Sequence, residues 1–237
     1  MKIYWFRGSA WDNSTGNFGD WLTPYFLHKL TNVEIEWARP RDAEMFGCGS
    51  LIETVPQGFK GMLLTTGMMH ERTERRDLQE AEILALRGPF TAERIFEDPY
   101  PDDDENTQLG DLGLLCSLFA PKEEKRYQLG VIPHYVHQDR EYDGHVIPIC
   151  GGIEHVLREA AKCERIISSS LHGIILADAL GIENQWEFSD EVFGKGFKFR
   201  DYAAALGETI EPGVWRLGNQ ERVGEIAERL AEILQAL

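Results

Sequence analysis

The chain has 237 residues, of which 43% are hydrophobic and 27% charged, a composition typical of a globular protein. Its 40 acidic and 24 basic residues give a net charge of −16, which argues against a broad surface for nucleic acid or for an anionic membrane. The absence of a signal-like start, of a membrane-length apolar stretch and of metal-type cysteine spacing predicts a cytoplasmic protein with no integral membrane segment and no metal site. The cysteines Cys48, Cys116, Cys150 and Cys163 are predicted to be reduced and to pack in the core.

Short apolar runs alternate with helical patterns along the chain, which predicts an α/β fold with a mostly parallel sheet. In the first half the predicted strands cover residues 2–6, 33–38, 44–49, 61–67 and 83–88, and the predicted helices run from about Gly19 to Leu30 and over 89–96. An acidic loop is predicted at 100–106, and residues 109–119 are predicted to form a strand end, a turn and a helix.

Residues 120–127, "APKEEKRY", are polar and lack apolar periodicity, so they mark the predicted boundary between two halves. Beyond it, strands are predicted at 128–136, 145–150, 165–167 and 183–188, and helices at 152–163, 171–181 and 219–237. Each half is therefore predicted to be a small α/β layer. The apolar positions of the last helix have helical spacing, and it is expected to pack on either half.

The stretch "RIISSSLHGIILADALG" (165–181) combines a buried strand, a serine turn and a helix. Ser169 and Ser170 lie where helix N-terminal amides are unpaired, Gly173 allows close approach of a ligand or backbone, and His172 projects from the first helical turn. Taken alone, the stretch is better explained as a helix cap with a structural histidine than as a site.

Other polar residues stand at similar strand-to-helix turns, where open parallel sheets bind ligands. They are Asn17, Gly19 and Asp20 in the first loop, Arg87 in "LALRG", Asp111 in "LGDLG" and His134 in "GVIPHY". Asn17 either caps its helix or binds substrate, and Asp20 either acts as a base or pairs with a basic neighbour. His134 and His137 are three residues apart without nearby carboxylates or cysteines, which makes a poor metal site.

The ordered set "NFGD" (17–20), "GCGSL" (47–51), "LRGPFTAE" (86–93), "LGDLGLL" (109–115), "GVIPHY" (130–135), "SSSLHGIILADALGI" (168–182) and "GKGFKFRDYAAALG" (194–207) resembles the polysaccharide pyruvyl transferase family. The resemblance implies an α/β fold with two Rossmann-like lobes facing a cleft, similar to the B-type glycosyltransferase architecture. The lobes would be residues 1–119 and 127–237, the second with the terminal helix. It also implies transfer of a pyruvyl group from phosphoenolpyruvate to two hydroxyls of a sugar or lipid-linked saccharide, giving a cyclic ketal on a cell-surface or exopolysaccharide precursor.

This chemistry needs an anion clamp, a proton donor and a base, and no cofactor. The candidate cations are Arg87, Lys198 and Arg200. We expect His172 to be the acid or base, Arg87 to clamp the donor, Ser169 and Ser170 to assist, and His134 to position substrate. Asp20 is a further catalytic candidate, and Asp111 is a candidate substrate ligand. Two rival interpretations stay open: a glycosyltransferase with a nucleotide-sugar donor, and a non-catalytic ligand-binding relative.

Overall fold

Two β-sheets with surrounding helices build the protein, as seen in a computed structural model that describes residues 1–8, 16–96 and 107–237. The predicted acidic loop at 100–106 and the polar residues 9–15 lie outside the described residues. The α/β class and the mostly parallel sheets predicted from the sequence are confirmed.

The first sheet has seven strands, all of them paired in parallel. Its order is β2-β1-β3-β5-β6-β7, with β4 paired to β5. The strands are β1 (Lys2–Tyr4), β2 (Glu36–Trp37), β3 (Met45–Phe46), β4 (Gly49–Ser50), β5 (Met62–Gly67), β6 (Glu82–Leu86) and β7 (Gln108–Leu109). The helices of this half are α1 (Leu22–Leu30), α2 (Pro89–Phe96) and three 3₁₀ helices, Pro40–Asp42, Ile52–Thr54 and Leu112–Phe119.

The second sheet has five strands in the order β12-β11-β10-β8-β9. They are β8 (Tyr127–Ile132), β9 (His145–Val146), β10 (Cys163–Ser168), β11 (Glu183–Trp186) and β12 (Trp215–Arg216). All pairings are parallel except that of β11 with β12. The helices are α3 (Ile153–Ala161), α4 (Leu171–Ala179), α5 (Phe197–Ala205), α6 (Gln220–Gln235) and the 3₁₀ helix Tyr135–His137.

The turn between β10 and α4 is organised by the hydroxyl of Ser168. Its Oγ donates to the carbonyl of Ile132 (2.7 Å) and accepts from the main-chain N–H of Ser170 (3.0 Å), so the chain reverses with its buried polar groups paired. A Cβ on Gly173 would lie 2.2 Å from that Oγ, so this glycine makes room for Ser168. The sequence predicted that Gly173 leaves space for a ligand or a neighbouring backbone. In the structure, the space is occupied by the Ser168 side chain.

Several predicted elements differ from the observed ones. The first helix begins at Leu22 instead of Gly19, because residues 18–21 form a turn, and the strand at 33–38 shrinks to Glu36–Trp37. The helix predicted within 109–119 is a 3₁₀ helix with Asp111 as its N-cap. Helix α5 and strand β12 were not predicted, since the buried polar side chains Lys198 and Asp201 interrupt the apolar period of α5.

One apolar cluster runs through both halves and joins them. It contains Phe26 of α1, Leu115 of the 3₁₀ helix Leu112–Phe119, Ile175 of α4 and Leu230 of α6. Helix α6 packs on α1, β7 and that 3₁₀ helix of the first half and also on α4 of the second half. No helix in the described part of the chain combines the length and the apolar character that a membrane span requires.

Candidate active site

A cavity of about 440 Å³ lies where the carboxyl ends of strands from both sheets meet. Residues that follow β1, β4, β5, β8 and β10 contribute to its wall, as expected for a ligand site of parallel sheets. The structure brings six of the predicted site residues together here: Asn17, Asp20, His134, Ser170, His172 and Lys198.

His172 lies in the first turn of α4 and is 9% exposed. Its Nε2 points away from Gly19, toward the Sγ of Cys48 (3.3 Å) and the Oδ2 of Asp111 (3.6 Å). Its Nδ1 lies on the side of Gly19, where an added Cβ would come within 1.8 Å of that nitrogen. Gly19 is therefore required by the position of the imidazole, a reason that the sequence alone did not show.

Asp111 lies beneath His172 and is fully buried, so it does not reach the cavity as a substrate ligand. Its Oδ1 accepts from the main-chain N–H of Gly113 (2.9 Å) and from the thiol of Cys48 (3.3 Å). Burial alone would raise the pKa of Asp111, but the neighbouring His172 and the hydrogen bonds lower it overall. We infer that Asp111 fixes the orientation of His172.

Cys48 is the residue of this site that sequence reasoning missed. Predicted to be a packing cysteine, it is buried, as expected, but its sulfur contacts both Asp111 and His172. Burial and the Asp111 carboxylate raise the pKa of the Cys48 thiol. Its place at the end of β3 in "GCGSL", a block with a site-like pattern, was the only available signal.

Asp20 and Lys198 bring opposite charges to the cavity. Burial raises the pKa of Asp20 to about 6, although His172 and Lys198 partly counteract this effect. Burial and the charge of Arg87 lower the pKa of Lys198 to about 8, against the attraction of Asp20. Both groups therefore change charge near neutral pH, which is a property of groups that bind or move protons.

His134 contributes an uncharged imidazole to the cavity wall. Burial, followed by the charges of Lys198, His137 and His172, lowers the pKa of His134 to about 3. The ring Nδ1 accepts from the main-chain N–H of Val136 (3.4 Å), while the main-chain N–H of His134 donates to the Oγ of Ser169 (3.0 Å). Ser169, which also contacts the Nδ1 of His137 (3.0 Å), supports this loop from behind the wall.

Asn17 combines the two roles that the sequence left open. Its Oδ1 accepts from the main-chain N–H of Gly19 (3.0 Å), which stabilises the turn before α1. The same side chain lines the cavity.

Arg87 does not lie in the crevice where we predicted an anion clamp. Its guanidinium is fully buried and donates to Asp201 Oδ2 (3.0 Å), Ser50 Oγ (2.8 Å) and the carbonyl of Met68 (2.5 Å). Its donors are therefore engaged within the protein, and only its partner Ser50 lines the cavity. Arg87 ties the end of β6 to α5 instead of holding a ligand.

Arg200 is also displaced from its predicted role. It is exposed and lines a separate hollow of about 520 Å³ beside Phe90, Glu93 and Arg94. Since Lys198 points into the cavity and Arg200 lies two residues further along α5, the helix directs the two cations to different sites.

Comparisons with known proteins identify two relatives of the chain. The chain is 32% identical to uncharacterized protein L143 of Acanthamoeba polyphaga mimivirus over 161 residues, which cover 62% of this chain and 55% of the viral protein. It is 26% identical to succinoglycan biosynthesis protein ExoV of Rhizobium meliloti (strain 1021) over 232 residues, 90% of this chain and 67% of ExoV. The chain thus spans little more than half the length of the viral relative.

No solved structure matches the chain. The family model for polysaccharide pyruvyl transferase matches residues 54–184, more than half of the sequence, a range that includes Arg87, Asp111, His134 and His172. The chain therefore belongs to the polysaccharide pyruvyl transferase family.

Proposed function

We propose that this protein transfers a pyruvyl group from phosphoenolpyruvate to two hydroxyls of a sugar in a polysaccharide precursor, forming a cyclic ketal. The observation that carries the proposal is the convergence of His172, Asp20 and Lys198 on one cavity between the two sheets. Family membership and the name of the relative ExoV support pyruvyl transfer in polysaccharide biosynthesis.

Lys198 and the start of α4 would hold the anionic donor. Among the cavity-lining residues, Lys198 is the one lysine or arginine. Opposite it, Ser170 offers its hydroxyl beside the first amides of a nine-residue helix, a position that favours phosphate or carboxylate. The lysine and the helix N-terminus together compensate donor charge within a chain of net charge −16.

The reaction begins when the methylene carbon of the donor's enol group takes up a proton. Positive charge then develops on the neighbouring carbon, which a sugar hydroxyl attacks. The carbon–oxygen bond to phosphate breaks, and a second hydroxyl closes the ketal ring and gives its proton to the departing phosphate. His172 would deliver the proton from Nδ1, since Nε2 faces Asp111 and Cys48. Asp20 would accept the proton of the attacking hydroxyl, a role suited to its pKa of about 6.

Two Rossmann-like lobes, residues 1–119 and 127–237, would face each other across this cleft as in B-type glycosyltransferases. Each sheet supplies one wall of the cavity, which supports this arrangement. We further propose that the acceptor is a nucleotide-linked or lipid-linked saccharide and that the reaction takes place in the cytoplasm.

Incubation of the purified protein with phosphoenolpyruvate and a panel of nucleotide- and lipid-linked hexoses tests the proposal. We expect acceptor-dependent phosphate release and a product with the mass of the acceptor plus a pyruvyl group. Proton NMR then separates a ketal, which has a methyl group, from an enolpyruvyl ether of the same mass, which has a methylene group.

Nucleotide release from a sugar donor, without use of phosphoenolpyruvate, would show a glycosyltransferase instead. Binding of phosphoenolpyruvate without turnover of any acceptor would favour the non-catalytic interpretation.

A further inference from the structure

We propose that Cys48, Asp111 and His172 form a binding site for a divalent transition-metal ion of the zinc class, directly beneath the cavity. These three side chains lie on three elements that are distant in sequence: the end of β3, the start of the 3₁₀ helix Leu112–Phe119, and the first turn of α4. The cluster is a juxtaposition made by the fold, and it is independent of whether the pyruvyl transfer proposed above is correct.

The distances within the cluster match those between ligands that share one small ion. The Cys48 sulfur lies 3.3 Å from Nε2 of His172 and 3.3 Å from Oδ1 of Asp111, and Nε2 lies 3.6 Å from Oδ2 of Asp111. Tetrahedral zinc, with bonds of about 2.0–2.3 Å, places neighbouring ligand atoms about 3.4–3.6 Å apart. The sulfur contacts Oδ1 and the imidazole faces Oδ2, and one ligand atom from each residue lies within 4.8 Å of the other two, so a small shift of the Asp111 carboxylate would bring all three onto one ion.

A buried carboxylate oxygen at the same place lacks a hydrogen bond. Oδ2 of Asp111 is buried and accepts no hydrogen bond among the described residues, although a buried carboxylate oxygen usually does; it faces Nε2 of His172 at 3.6 Å. The Thr65 hydroxyl is also buried and faces the Cys48 thiol. A cation at the centre of the cluster would be bound by the Asp111 oxygen directly.

The backbone at Thr65 adds a second sign of a specialised site. Thr65 has φ 53, a left-handed conformation that is costly for a β-branched residue, and it sits at an irregular register between β5 and β6. Strain of this kind is concentrated at functional sites. The strained residue, Thr65, lies next to Cys48.

The donor set selects the class of metal. Thiolate and imidazole favour zinc, cobalt or iron over magnesium and calcium, which prefer sites made of oxygen. On binding, the Cys48 thiol would release its proton to solvent, so that a thiolate, a carboxylate and a neutral imidazole compensate a 2+ ion. Three protein ligands leave a fourth position open, and an ion on Nε2 leaves Nδ1 of His172 available on the other side of the ring.

Cobalt(II) titration of the chelator-treated protein tests the site without any assay of activity. We expect one tight site per chain, with the intense visible bands of tetrahedral cobalt and a near-ultraviolet thiolate-to-cobalt charge-transfer band, both of which disappear when zinc is added. The Cys48→Ser variant should lose the charge-transfer band and bind cobalt about 100-fold more weakly or worse.

Cys116 provides the matched control, since it is another buried cysteine of the same core but belongs to no metal-like group among the described residues. The Cys116→Ser variant should retain both bands. Circular dichroism shows whether each variant is folded. If Cys48→Ser does not fold, Cys48→Ala is used in its place. Absence of tight cobalt binding by the wild-type protein, or a charge-transfer band that persists without Cys48, would overturn the proposal.

Discussion

Arg87 and Asp201 form a fully buried ion pair that joins the two halves of the protein. The guanidinium Nη2 lies 2.9 Å from the Asp201 Oδ2, and neither side chain is exposed. Asp201 also accepts from the N–H and the hydroxyl of Thr91, so its carboxylate connects α5 to α2 as well as to the end of β6. Because Lys198 precedes Asp201 by one helical turn, this contact determines where Lys198 enters the cavity.

Removal of one partner of the pair should destabilise the protein strongly. Asp201→Asn or Arg87→Met leaves the other charge buried and unpaired, which costs about 3–5 kcal/mol. The double variant Arg87→Met/Asp201→Asn should lose less unfolding free energy than the sum of the two single changes, as measured by denaturant unfolding. If the losses of unfolding free energy are additive, the two charges do not interact energetically.

Replacement of His172 by alanine should abolish turnover and leave the fold intact. The expected loss is at least about 100-fold in the rate of phosphate release, since general acid–base catalysis contributes at this level. His155→Ala is the matched control, because His155 is exposed and lies outside the cavity. Turnover of His172→Ala near the wild-type rate would remove His172 from the mechanism.

Gly19→Ala should reduce activity through the position of His172. The new methyl group would lie 1.8 Å from Nδ1, so the imidazole or the turn has to move, and a displacement of this size costs about 100-fold in rate. The control is Gly224→Ala in α6, where the added methyl group meets open space. That change should stabilise the helix by about 0.5–1 kcal/mol without altering kinetics, and equal effects of the two substitutions would contradict this reasoning.

Donor binding should weaken as the pH rises through about 8, where Lys198 loses its charge. Below that value the ammonium form attracts the anion, and above it the neutral amine does not. Calorimetric titration with phosphoenolpyruvate across this range measures the effect. Lys198→Met should bind weakly at every pH; an unchanged pH dependence in that variant would exclude Lys198 as its source.

Protonation of Asp20 should reduce activity at acidic pH. At neutral pH, its buried negative charge should reduce the stability of the protein. With a pKa of about 6 in the folded protein and 3.8 as the ordinary value, the carboxyl group favours folding below about 3.8 and loses this contribution as the pH rises through about 6. Asp20→Asn should therefore be more stable than wild type at neutral pH, by about 1–3 kcal/mol, yet slower in turnover.

Thermal unfolding at neutral and acidic pH tests the stability part of this prediction, and the gain should vanish below about pH 4. A variant with unchanged turnover would show that Asp20 is not the base.

Much of the fold could be predicted, because strands such as β5, β8 and β10 are apolar runs bounded by polar turns. The elements that escaped prediction are stabilised by distant partners. Helix α5 carries the buried Asp201, whose partners Arg87 and Thr91 lie more than a hundred residues earlier in the chain. No local pattern reveals such a pair.

The site was predictable where it depends on topology and unpredictable where it depends on burial. The strand-to-helix turns that carry His172 and Asp20 do meet at one cavity, because the carboxyl ends of parallel strands gather at one edge. Whether a side chain at such a turn faces the cavity or the interior depends on its packing. Lys198 faces the cavity, whereas Arg87 faces the interior, and the sequence does not distinguish the two cases. For the same reason Cys48 was not predicted as a site residue, because its sequence pattern is that of an ordinary core cysteine.

The packing of α6 also affects the order in which the protein acquires its structure. Leu112, Leu114 and Leu115 belong to the first half, but their apolar surface is covered by residues 220–235. During synthesis, the 100 residues 120–219 are translated between the 3₁₀ helix and the helix that covers it. The first half therefore emerges from the ribosome with part of its core open to water, and its burial is completed only after translation has passed α6.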